Sequence, residues 1–159
     1  MYSYEWDKKT RGYKLTTQTG KFVASEIRPV FAEELLLLGF DGYFKFDKDE
    51  VAPLMWAKNN VFFYNGEEAA KLHKVQLGQD IEIDYLIPQC ALKPVDIPQM
   101  LERNSVILNS LIANTLKVIK NMYDDNIGDC DIAYIGFSGG KDSVVLLDLC
   151  DQVLPPECP

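Results

Sequence analysis

The sequence predicts an α+β chain: a strand-rich antiparallel module over residues 1–90, then, over 91–159, a long helix and the first βα unit of an α/β domain. Three observations predict it. Aromatic and β-branched residues crowd the first half between turn signals. Pro88, Pro94 and Pro98 then mark a linker that suits neither a helix interior nor a central strand, and an amphipathic stretch with helical spacing follows. Finally, the apolar run IAYIGF leads into a glycine pair and the helix-like VVLLDLC.

Taken in order, YSYEW and YKLTT flank a polar turn containing Gly12 and read as a hairpin with KKTRGYK at its solvated tip. FAEELLLLGF predicts a short helix, with Glu33 and Glu34 in its first turn and Gly39 at its stop. GYFKF, LMWA and VFFYNG continue the strand-rich pattern, with Lys58-Asn59-Asn60 between the last two. EEAAKLHKVQ fits a returning strand or a short helix, whereas DIEIDYL alternates as a strand does. After the prolines, Asp96 to Gln99 has the spacing of a capping box, and Pro98 is tolerated in a first turn. The helix it opens runs to about Tyr123 with a wide apolar face that calls for a sheet to cover. Gly128 and its acidic neighbours end it. IAYIGF, apolar without alternation, predicts a strand buried on both faces, and Pro155-Pro156 stop the last helix.

Composition excludes several function classes. The 159 residues are 47% apolar and 25% charged, as in an ordinary globular protein, with no apolar run of membrane-span length and no signal-peptide segment at the polar start. A cytoplasmic chain is expected. Cys90, Cys130, Cys150 and Cys158 lie far apart without C-x-x-C spacing, which suits reduced thiols rather than a zinc site or a disulfide framework. His73, the sole histidine, reads as a surface strand residue. The net charge of −8 is uneven: residues 76–159 hold 13 Asp+Glu against 5 Lys+Arg, while residues 1–75 balance at 11 each. An acidic half argues against nonspecific nucleic-acid binding, which needs clustered cations.

The chemistry concentrates in Ser138-Gly139-Gly140-Lys141-Asp142-Ser143. Two glycines let the backbone turn sharply after a strand and bring N–H groups close to an anion. The helix that follows adds free N–H groups and the positive end of its dipole. Ser138 and Ser143 supply hydroxyls and Lys141 a mobile cation. Asp142 does not attract phosphate; it reads as a first-turn carboxylate that holds the loop or orients a divalent cation. A Walker loop would need glycine where Ile135 stands and Ser/Thr where Asp142 stands, and the dinucleotide fingerprint would need glycine at Ser138 and Lys141.

This hexapeptide resembles the SGGxDS motif of the PP-loop superfamily of ATP pyrophosphatases, and the longer FSGGKDSVVLLDL is most similar to the phosphoadenosine phosphosulfate (PAPS) reductase-like branch. EIRPVFAEELLLLGFD, PLMWA, FFYNGE and LKPVDIPQM are similar to an amino-terminal extension of long bacterial and archaeal members. The resemblance implies an adenine nucleotide alpha hydrolase-like domain in which Ser138, Gly139, Gly140, Lys141, Asp142 and Ser143 bind the phosphates of ATP or PAPS, with magnesium assisting and Phe137 near the nucleotide edge. Family chemistry is attack at the α-phosphate with release of pyrophosphate, or, in the reductases, release of sulfite from PAPS by an external thiol. The reductases' catalytic cysteine and the paired cysteines of an iron–sulfur cluster have no counterpart here, so neither is assigned to Cys150 or Cys158.

A parallel strand apolar on both faces needs neighbours that return by crossovers of a dozen or more residues, and only 19 residues follow Gly140. The expectation is therefore an amino-terminal fragment of a longer enzyme, feeble or inactive alone, whose IAYIGF edges favour self-association or cover by the long helix. One alternative makes the enzyme an adenylating one that prepares tRNA or DNA for sulfur transfer, with KKTRGYK as a contact. Another makes residues 1–90 a non-catalytic docking module.

Overall fold

The computed structural model describes residues 3–16, 27–73, 81–129 and 134–155. It is a mixed α and β structure with two antiparallel sheets and one long helix. Two compact units divide it, residues 1–104 and 105–159.

The first unit opens with a hairpin. Strands β1 (Ser3–Asp7) and β2 (Gly12–Thr16) pair from Ser3↔Thr16 to Asp7↔Gly12, and the KKTRGYK cations gather around the turn as expected. Arg11 takes a left-handed φ of 55° there and donates its Nε to the Pro94 carbonyl at 2.7 Å.

A five-stranded antiparallel sheet follows in the order β3 (Arg28–Val30), β4 (Met55–Lys58), β5 (Val61–Tyr64), β6 (Glu67–Leu72) and β7 (Ile83–Tyr85). EEAAKLHKVQ thus begins as a returning strand, and its residues 74–76 lie outside those described. Asn65 and Gly66, both at positive φ, make the two-residue β5–β6 turn, whose left-handed backbone matches the twist of the flanking strands. The register shifts between Phe62↔Ala70 and Phe63↔Glu68, which leaves Ala69 as the extra residue of a bulge in β6.

Period-two alternation divides β4 and β5 between two faces. Met55, Ala57, Phe62 and Tyr64 turn into the main core, where they join Val30, Leu35, Phe40, Phe44 and Leu92. The Phe40 and Phe62 rings meet at 4.9 Å. On the opposite face Trp56 meets the hairpin: its indole N–H donates to the Arg11 carbonyl, and Tyr13 stands edge-on between Trp56 and Trp6.

Helix α1 (Ala32–Leu37) occupies the predicted place, and Gly39 follows at φ 76°. GYFKF is not a strand, contrary to expectation. A 3-10 turn over Phe40–Gly42 is closed by the Phe44 amide bonding to the Phe40 carbonyl at 2.8 Å, and Lys45 alone bridges to Ala91. The turn folds the chain back on itself, so that the Phe40 and Phe44 rings stack 6.1 Å apart and both enter the core.

The proline-rich segment packs into the same unit, with Leu92 and Val95 buried, and the division between units falls within the long helix at Asn104/Ser105. That helix, α2, runs Ile97–Asn126. The Asp96 carboxylate caps it by accepting the Gln99 amide at 3.1 Å, while the Asp96 amide donates to the Thr10 carbonyl rather than to Gln99, so half of the capping box forms.

The second unit comprises the rest of α2, the segment Tyr134–Gly140 and helix α3 (Lys141–Asp151). The predicted IAYIGF strand is not formed over its described part: Tyr134–Phe137 pairs with no other described strand, and Tyr134 and Phe137 are 87% and 58% exposed. A parallel strand needs neighbours, and no described segment supplies one. Asp131, Ile132 and Ala133, with Cys130 and Cys158, lie outside the described residues. Among those described, no helix is long and apolar enough to cross a membrane.

Candidate functional site

All six residues of the sequence-derived site fall on one loop and the helix it opens. Ser138, Gly139 and Gly140 form the turn, and Lys141, Asp142 and Ser143 the first turn of α3. Gly139 stands at φ 75°, a left-handed conformation that disfavours any side chain with a Cβ. Gly140 is the N-cap, extended at φ −80° and ψ 163°, and its carbonyl accepts the Val144 amide to start the helix.

A glycine N-cap brings no side chain to the helix end, and α3 has no side-chain cap. An α-helix leaves its first N–H groups without intrahelical partners, and here no capping oxygen reaches back to take one. The serines instead fix the loop. Ser143 Oγ donates to the Gly140 carbonyl at 2.8 Å, Ser138 Oγ to Ser143 Oγ at 3.3 Å, and the Gly140 amide to Ser138 Oγ at 3.4 Å. Ser143 is buried by this arrangement, while Ser138, Lys141 and Asp142 remain exposed. Lys141 forms no ion pair with any described residue. Chemically the loop offers backbone donors, the dipole of an 11-residue helix and one cation to an anion, and one carboxylate to a cation.

Phe137 precedes the loop and is exposed. His73 stands at the surface, where its Nε2 lies 2.7 Å from the Asp84 carboxylate across the β6–β7 pair. Cys90 is half-buried, and burial pushes its thiol pKa up, away from a reactive thiolate; Cys150 is buried on α3. No group of three or more metal-ligating side chains occurs among the described residues.

Sequence reasoning missed one concave surface, a groove of about 430 Å³ between the β5–β6 turn and the Ile87–Ala91 segment. No motif marks it, because its walls come together only when the proline-rich segment folds back beside β5. Compared with known protein families, with curated proteins and with solved structures, the chain matches none.

Proposed function

We propose that the chain is the amino-terminal part of a PAPS reductase-like PP-loop enzyme and that Ser138–Ser143 holds the phosphates of an adenine nucleotide, ATP or PAPS. The observation that carries this reading is a glycine turn, with Gly139 at positive φ, set before a helix whose N-cap has no side chain. A turn whose serines bond inward and whose first amides face no cap suits an oxyanion better than a plain strand-to-helix joint. Asp142 is the loop carboxylate that would help to hold magnesium, an ion that takes one or two protein carboxylates and completes its shell with phosphate and water. Bound there, magnesium would neutralise charge developing on the departing pyrophosphate.

Titration calorimetry with ATP, PAPS and pyrophosphate tests the proposal. Binding of at least one is expected, and Lys141→Ala weakens it about tenfold or more, the scale of one lost charge-assisted hydrogen bond. Gly139→Val abolishes it by closing the left-handed backbone. Heats absent for all three ligands, or unchanged in both variants, overturn the reading and leave the first unit as a docking module.

A second reading changes only the acceptor, to tRNA or DNA adenylated before sulfur transfer. The exposed Lys8 and Lys9 at the hairpin tip favour it. Charge reversal at both positions then abolishes nucleic-acid retention while leaving nucleotide heats unchanged; equal retention by wild type and variant rules it out.

A further inference from the structure

No further inference is drawn: the strongest candidate, the groove between the β5–β6 turn and Ile87–Ala91, carries nothing, because the Tyr64 hydroxyl and the Ala91 carbonyl within it already bond one another and nothing in the structure shows what would occupy it.

Discussion

At the scale of single residues, two side chains at the start of α2 fasten the hairpin. Asn104, only 7% exposed, accepts the Leu15 amide at 2.7 Å and donates to the Tyr13 and Met100 carbonyls at 3.1 and 2.9 Å. Its amide therefore has one possible orientation, with oxygen toward a donor and nitrogen toward two acceptors. Asn104→Ala strands these groups and is expected to cost about 1–3 kcal/mol. Asn104→Asp is expected to cost more at neutral pH, since it sets a carboxylate against two carbonyls, and to recover part of the loss once protonated. Thermal melts of both variants at neutral and acid pH check the order; an aspartate variant as stable as wild type at neutral pH refutes the orientation.

Arg103, paired with Asp7 on β1, is the other fastening. Burial by itself would raise the Asp7 pKa, but the Arg103 guanidinium and the Lys9 amide, joined by Thr10, outweigh burial and hold it below the ordinary 3.8. A folded pKa below the unfolded one means that the ionised pair stabilises above the unfolded value. That contribution disappears as pH falls through the folded pKa. Asp7→Asn should therefore lower the urea midpoint near neutral pH, and the gap to wild type should narrow below about pH 4. A gap constant across the acid range would show that the charge contributes nothing.

Elements show how far the sequence could be read. Helix α1 was legible because its acidic first turn and Gly39 are local signals, and α2 because Asp96 and the helical spacing sit on one short stretch. The phosphate-type loop was legible for the same reason: six consecutive residues carry its chemistry. GYFKF was misread because the core, not the local pattern, decides where Phe40 and Phe44 go. Asn104 and Arg103 left no signal either, since their partners lie about ninety residues away in the chain.

The β5–β6 turn joins local and distant causes. Asn-Gly specifies the turn locally, but a Cβ on Gly66 would also lie 2.7 Å from the Trp6 ring on the hairpin. Gly66→Ala thus meets a positive φ and a collision together. A loss of about 1–2 kcal/mol is expected from backbone strain alone, with more from displacing the ring. Melting followed by tryptophan fluorescence checks it, and a variant with unchanged Tm and emission would show that the indole does not rest on this turn.

At the scale of the whole molecule, the two units differ in what they cover. The first buries a continuous core around Phe40, Phe44 and Phe62. The second leaves Val144, Val145, Leu146 and Leu147 between 41% and 57% exposed, and these four residues span a full turn of α3. A helix apolar all round is normally buried, and a monomer rarely exposes more than a few hundred Å² of contiguous apolar surface. With Tyr134 and Phe137 also exposed, the 159-residue chain is expected to self-associate in a concentration-dependent way. Salt gives this expectation a sign. Residues 105–159 contain three lysines against eight acidic side chains, so two copies repel and added salt should tighten their association. Sedimentation velocity across protein and salt concentrations measures both effects. Val145→Glu should shift the population toward monomer, whereas Leu37→Glu, at an exposed position in the first unit, should leave it unchanged. A wild-type chain that stays monomeric at high concentration, or weakens its association as salt rises, would mean that the apolar turn of α3 does not drive contact between copies.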